Sequence, residues 1–429
     1  MRITVRGAKK LRGSVTPPGD KSTSHRAVIL NVLSKGTAKV ENFSPGQDCA
    51  STIQCLRSMG AIISPDPQIP NSLFIEGTSS FLNEPASILD AGNSGTTMRL
   101  LSGVLAGQPF LSIITGDKSL KSRPMDRIIN PLKLMGANVI GRSNGRLAPI
   151  VFQGGNLSGI EYELPVASAQ LKSCLLLAGM YADGTTKITE PAPSRDHTEK
   201  MLADMGIPIS VENQVITVRK GQLIAKDVFV PSDISSAAYW MVAAAAHPDS
   251  KITINGVGVN PTRTGILEIL NRMNAKITLG NPRKEGVEEV ADIVVESSDL
   301  VATEIDGDII PRLIDELPVL AVAACYARGT TIIKDASELR VKESDRIKAI
   351  VSQLNRMGGN LQEISDGMVI HGPVILKGTT CRSFGDHRVA MSLAIAGTLA
   401  QGETTILNAE CSRISYPGFW EQIYSISGE

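Results

Sequence analysis

Runs of small and aliphatic residues recur along the chain. Each opens on a polar start bearing glycine or serine and closes at a turn before a strand-like stretch. Six such runs align: Lys21 to Gly36, Gly92 to Gly107, Ser168 to Gly184, Asp233 to Asp249, Asp315 to Gly329 and Gly385 to Gly402. Each is apolar nearly all round, which predicts a helix buried on every side. A second pattern alternates with the first: Leu56-Arg-Ser-Met-Gly-Ala61, Leu132-Lys-Leu-Met-Gly-Ala137, Leu202-Ala-Asp-Met-Gly206, Leu270-Asn-Arg-Met-Asn-Ala275 and Leu354-Asn-Arg-Met-Gly-Gly359. These read as helix C-termini with Gly or Asn at the stop and a strand beyond. A sixth copy falls in Phe419 to Ile426, where the match is weak. The spacing of about 70 residues gives each unit two helices and several strands. Six units in 429 residues predict an α/β protein of two domains, three units in each.

Composition narrows the partners. Lys+Arg and Asp+Glu are equal at 43 each, so a cationic site must be a local cluster balanced elsewhere. Neutral balance and 4% aromatics weigh against nucleic acid, and neutral balance weighs against membrane-surface binding. The longest apolar runs, such as Ala237 to Ala246, are too short to span a bilayer. The strand-like Ile3 to Arg6 starts almost at Met1, with no signal peptide before it. The six cysteines include no CxxC pair and several sit in apolar runs, which predicts a reduced, cytoplasmic protein.

The polar starts of the buried helices carry the chemistry. A helix N-terminus has unpaired N–H groups and the positive end of a dipole, so it favours anions. Gly19-Asp-Lys-Ser22 looks like the tail of a P-loop but lacks the upstream glycine, so a Walker A reading fails. Lys21 with a capped helix still suits a phosphate or carboxylate, and Arg26 follows Ser22 on the same face. Gly95 in Gly92-Asn-Ser-Gly-Thr lets a ligand approach the backbone. Lys121 to Arg127 adds cations before another helix, with Pro124 near its first turn. Leu339 to Arg346 alternates charge ahead of a helix, as a solvated face or a pre-organised ion network would. Asp315 and Glu316 open the fifth buried helix, where carboxylates among cations can transfer protons. Arg195-Asp-His-Thr-Glu199 holds one His with scattered carboxylates, a poor metal site.

Seven segments in order make the chain resemble the enolpyruvyl transferase family over essentially its whole length. They are Gly19-Asp-Lys-Ser, Gly92-Asn-Ser-Gly-Thr, Ser122-Arg-Pro-Met, Ser168-Ala-Gln, Asp315-Glu-Leu-Pro, Arg340-Val-Lys-Glu-Ser-Asp-Arg and Gly385-Asp-His-Arg. The branch it is most similar to acts on shikimate 3-phosphate. The resemblance implies a two-domain inside-out α/β barrel, each domain three βαβαββ repeats around buried parallel helices. Residues 20–233 would form one domain, and 1–19 with 234–429 the other, with a cleft that closes on substrates. It implies transfer of the enolpyruvyl group of phosphoenolpyruvate to the 5-hydroxyl of shikimate 3-phosphate by addition and elimination, without metal or organic cofactor. Lys21, Ser22, Arg26, Ser168, Ala169, Gln170, Arg195, Asp315 and Lys342 would hold shikimate 3-phosphate. Lys21, Asn93, Gly95, Arg123, Gln170, Arg346 and Arg388 would hold phosphoenolpyruvate. Asp315 would serve the hydroxyl and Glu343 carbon C3, with Lys21 sharing the proton work. Many members place a lysine just before a C-terminal aromatic-proline pair; here Arg413 stands one position displaced from it. Arg195-Asp-His-Thr-Glu and Asn260-Pro-Thr-Arg263 resemble the second class of these enzymes, often less sensitive to the inhibitor glyphosate. The resemblance also implies a monomer. Two rivals stand beside this reading. One is the branch acting on UDP-N-acetylglucosamine, whose usual loop cysteine near residues 110–125 is absent here. The other is a non-catalytic anion- or RNA-binding module on the same repeat.

Overall fold

The structure, a computed structural model, describes residues 1–428. The chain divides into two compact units. One comprises Met1–Pro18, Pro231–Lys284 and the residues from Glu288 on; the other comprises Gly19–Val230 and Glu285–Val287. The chain thus begins in one unit, builds the other, and returns. Against the expected limits at 19/20 and 233/234, the crossings fall at 18/19 and 230/231. Nothing in the sequence pattern marks Glu285–Val287, at the turn between strands Lys276–Glu285 and Glu288–Glu296.

Among the described residues there are six sheets, three in each unit. The second shows the repeat most plainly. Strand Leu89–Asp90, buried helix Gly95–Ala106, strand Leu111–Thr115, helix Asp126–Leu134 and the hairpin strands Val139–Arg142 and Leu147–Gln153 follow one another. Leu89–Asp90 pairs parallel to Leu111–Thr115, and the remaining pairs are antiparallel. Three sheets complete this plan with a strand from elsewhere in the sequence. Val228–Phe229 closes the first sheet beside Thr37–Glu41. Leu11–Val15 closes the fourth beside Ser250–Gly258. Arg2–Arg6 joins the sixth, antiparallel to Glu403–Leu407.

The six apolar runs are helices: Lys21–Leu33, Gly95–Ala106, Ala169–Gly179, Ile234–Ala246, Leu317–Tyr326 and His387–Leu399. Their side chains form the core of each unit. Five are N-capped by a side chain: Asp20, Ser94, Ser168, Asp233 and Asp386 each accept a hydrogen bond from a first-turn N–H. Each such cap is worth about 1 kcal/mol and fixes where the helix starts. The fifth begins after Glu316, whose side chain makes no cap bond, with Pro318 in the first turn.

The Leu-x-x-Met-(Gly/Asn) pattern is a Schellman stop repeated five times. The N–H groups of Ala61, Ala137, Ile207, Ala275 and Gly359 donate back to the carbonyls of Leu56, Leu132, Leu202, Leu270 and Leu354. Gly60, Gly136, Gly206, Asn274 and Gly358 have φ between +66° and +94°. The methionine before each is the helix cap and is buried. The weakly matching sixth copy is also a helix, Phe419–Ser427, with Gly428 as its left-handed cap. All six cysteines are free and buried. Burial pushes the Cys55 and Cys325 thiols up to about 12, as for small apolar residues.

Candidate active site

The sequence-predicted residues fall into two groups, one in each unit. In the unit Gly19–Val230, contacts tie the starts of the three buried helices together. Lys21 pairs with buried Asp48 at 2.9 Å. Arg26, also buried, donates through Nε to Thr198 Oγ1 (2.6 Å), through Nη2 to Ser173 Oγ (2.7 Å) and through Nη1 to the Ser22 carbonyl (2.9 Å). Arg195 Nη1 donates to Ser22 Oγ at 3.3 Å. First and third helix starts therefore meet. Second and third meet through Gln170, which accepts from Arg99 Nη1 (2.6 Å) and donates to Thr96 Oγ1 (2.9 Å). Asn93 accepts from Arg123 Nη2 at 2.7 Å and donates to Asp117 at 2.6 Å. A Cβ on Gly95 would lie 2.9 Å from Arg99 Nη1 and 3.4 Å from Arg123 Nη1, so glycine here leaves the two guanidinium groups their places. Ser168 caps the third helix, and Ala169 is its first residue.

The segment Arg195–Glu199 is fixed by charge. Lys172, 1% exposed, lies 2.8 Å from Glu190 and 2.6 Å from Glu199. Burial raises the Glu199 pKa against the pull of Lys172. These carboxylates balance a buried cation. Among the described residues no group of three or more His, Cys, Asp or Glu is arranged to hold a metal.

In the other unit the starts of the fourth, fifth and sixth buried helices meet. Arg346, 2% exposed, donates through Nε to Asp386 (2.9 Å), through Nη1 to Asp315 (3.2 Å) and through Nη2 to Glu343 (2.5 Å). Burial opposes its charge, but these three carboxylates more than offset that and raise its pKa. Ser235 of the fourth helix donates to Glu316 at the start of the fifth. Arg388 opens the sixth, 3% exposed, with Nε and Nη1 buried and without a hydrogen-bond partner among the described residues. Burial opposes this charge too; Tyr239, Asp315, Asp233 and Glu316 outweigh it and raise the pKa. Lys342 is pulled below the ordinary lysine value by burial and by Arg346, against Asp315, Glu338 and Glu343.

The run from Leu339 to Arg346 is an ion network, not a solvated face. Arg340 pairs with Asp345 (2.8 Å) and Glu363 (2.9 Å), and Asp345 caps helix Arg346–Arg356. Pro124 precedes helix Asp126–Leu134, outside its first turn, because Met125 is the cap. Arg413 lies in the 3-10 turn Ala409–Ile414, exposed, and among the described residues it makes no hydrogen bond or ion pair to this cluster. Sequence reasoning missed Asp48, Arg99, Ser235, Arg263 and Asp386 as parts of these networks. Asp386 and Arg263 had a signal, since they stand inside Gly385-Asp-His-Arg and Asn260-Pro-Thr-Arg.

Buried helices that present arginines and carboxylates at their starts define an anion-handling α/β protein. Its fold is that of the enolpyruvyl transferase NikO of Streptomyces tendae, at TM-score 0.81 over 99% of this chain and 96% of that one, with 18% identity. The match becomes specific in sequence: the model of the EPSP synthase (3-phosphoshikimate 1-carboxyvinyltransferase) family covers residues 5–423, and the chain belongs to that family. The 3-phosphoshikimate 1-carboxyvinyltransferase of Desulforamulus reducens is 52% identical over 421 residues, 98% of each chain. That of Bacillus cereus is 50% identical over 421 residues, 97% of each. The EPSP synthase structure from Acinetobacter baumannii is 42% identical, with TM-score 0.87 over 99% of this chain and 97% of that one.

Proposed function

We propose that this chain transfers the 1-carboxyvinyl group of phosphoenolpyruvate to the 5-hydroxyl of shikimate 3-phosphate, releasing phosphate, in the shikimate pathway to aromatic amino acids. Family membership along residues 5–423 supports this reading over UDP-N-acetylglucosamine transfer or a non-catalytic anion- or RNA-binding module.

The observation that carries the chemistry is the pairing of Arg346 with Asp315 and Glu343, with Asp315 also acting through its charge on buried Arg388. An anion seated on Arg388 lies next to two carboxylates that can move protons. In the addition step the substrate 5-oxygen bonds to C2 of phosphoenolpyruvate. Asp315 takes the hydroxyl proton, and C3 gains a proton delivered by Glu343. In the elimination step C3 returns that proton to Glu343, the double bond re-forms, and the C2–O bond to phosphate breaks as Asp315 passes the hydroxyl proton to the departing phosphate oxygen. Lys21, Ser22, Arg26, Ser168, Ala169, Gln170, Arg195, Asp315 and Lys342 hold shikimate 3-phosphate in this reading. Lys21, Asn93, Gly95, Arg123, Gln170, Arg346 and Arg388 hold phosphoenolpyruvate, with Lys21 sharing the proton transfers. We leave Arg413 out of that set, because its exposed side chain bonds to none of the cluster. The reading further implies a monomeric, cytoplasmic enzyme with glyphosate as an inhibitor.

Phosphate release from the two substrates tests the activity. Asp315→Asn is expected to keep shikimate 3-phosphate affinity and lower kcat by about a hundredfold or more. An unchanged kcat removes Asp315 from the mechanism. Turnover with UDP-N-acetylglucosamine but not with shikimate 3-phosphate overturns the substrate.

A further inference from the structure

We propose that Asp386 is a positioning residue that sets both arginines of the phosphoenolpyruvate site, Arg346 through its side chain and Arg388 through its backbone. This rests on the reading of those two arginines as phosphoenolpyruvate ligands. Asp386 stands between Gly385 and His387, is 0% exposed, and has no part in the reaction as derived above. Its two oxygens divide the work. Oδ1 accepts from the backbone N–H of Arg388 (2.8 Å) and of Val389 (3.4 Å), which is the cap that starts helix His387–Leu399. Oδ2 accepts from Arg346 Nε (2.9 Å) and from Ser344 Oγ (3.0 Å). One buried carboxylate therefore ties the guanidinium of Arg346 to the first turn of the helix that carries Arg388.

Asp315 and Glu343 also hold Arg346, at Nη1 and Nη2. Both change protonation in the proposed reaction, and a neutral carboxyl is a weaker partner for a guanidinium than a carboxylate. Their hold therefore slackens and tightens from step to step. Asp386 neither gives nor takes a proton there, so its bond to Nε lasts through both steps. Arg346 is also the first residue of helix Arg346–Arg356, which fixes its backbone. With the backbone and Nε both fixed, the planar guanidinium has its remaining N–H groups aimed in set directions. An anion then meets two arginines whose spacing is set before it arrives, and binding does not have to order them.

The test is steady-state kinetics with both substrates, plus calorimetric titration with shikimate 3-phosphate alone. Asp386→Asn keeps an oxygen for the cap but turns an amide N–H, a donor, toward Arg346 Nε. Asp386→Ser also keeps a capping oxygen and leaves nothing in the place of Oδ2. Each is expected to raise the KM for phosphoenolpyruvate on the order of tenfold and to leave shikimate 3-phosphate affinity unchanged. A carboxylate that only capped the helix would give no such split, because both variants retain the cap. Arg346→Lys puts a methylene where Nε stood, so Asp386→Asn added to it should cost far less than it does in the wild type. An unchanged KM for phosphoenolpyruvate, an equal loss for both substrates, or the same loss again in the Arg346→Lys background overturns the proposal. Failure of both Asp386 variants to fold overturns it too, since the role would then be structural. Wild-type protein that fails to turn over the two substrates overturns the underlying reading instead.

Discussion

Single side chains show how burial and charge decide which groups stay neutral. His25 sits one turn into the first buried helix, 0% exposed, with Nδ1 2.6 Å from Thr52 Oγ1. Its Nε2 is buried without a hydrogen-bond partner among the described residues, so a second ring proton would have no acceptor there. Burial, then the charges of Lys21 and Arg26, hold its pKa well below 6.5, against a smaller opposing pull from Asp20. The unfolded chain therefore takes up a proton near pH 6.5 that the folded chain refuses. Stability from this group is present above about pH 6.5 and is lost as pH falls below it, at up to about 1.4 kcal/mol per pH unit. Urea midpoints from pH 7.5 down to 5 should show this slope, and His25→Asn should flatten it. Equal slopes in both proteins would remove His25 as the cause. The residues of the candidate site that were legible in sequence are those in charged helix starts: Lys21, Arg123, Asp315, Arg346. Asp48 was not, because it acts on a group 27 positions away in sequence, and no local pattern encodes that approach.

Elements were legible where one physical device repeats. The five Leu-x-x-Met-(Gly/Asn) stops could be read because each sets a left-handed residue directly after a buried methionine. The sixth stop kept the glycine, Gly428, but has no methionine before it, and so matched weakly. Close packing between helices was not legible. Gly103 looks like a flaw in helix Gly95–Ala106, since alanine would favour the helix by about 1 kcal/mol. In the structure a Cβ there would lie 2.1 Å from the Cys174 carbonyl oxygen of helix Ala169–Gly179. Overpacking against backbone costs roughly 1–3 kcal/mol or more, so the clash should win. Gly103→Ala is expected to lower the urea midpoint. A raised midpoint would mean that the two helices separate freely and that the glycine is not what sets their approach. The same pair of helices carries the Arg99–Gln170 bond, so the variant should also weaken phosphoenolpyruvate binding if Gln170 belongs to its set.

At the scale of the whole molecule, the sequence repeat and the structural repeat run out of step. The periodicity showed six units, but a unit read off the sequence is not always one sheet. The first, fourth and sixth sheets each borrow a strand from beyond their own repeat, and borrowed strands carry no pattern that says where they pair. The N-terminal strand Arg2–Arg6 is the clearest case. It pairs residue for residue with Glu403–Leu407, from Arg2 opposite Leu407 to Arg6 opposite Glu403, and sends Val5 into the core. Without it the sixth sheet keeps only its parallel pair, Thr380–Arg382 with Glu403–Leu407, and parallel pairs of this length are weak alone. Tryptophan fluorescence can follow this, because both tryptophans, Trp240 and Trp420, lie in the same unit as that sheet and contact Phe419 there. Deleting residues 1–6 is expected to lower the midpoint of the fluorescence melt by several degrees, for a loss of roughly 2–4 kcal/mol. Amide protection in strand Leu111–Thr115, which belongs to the other unit, should stay near its wild-type level. A fluorescence melt that does not move would show that the sixth sheet does not depend on its borrowed strand. Lost protection at Leu111–Thr115 would show that the two units share one unfolding transition.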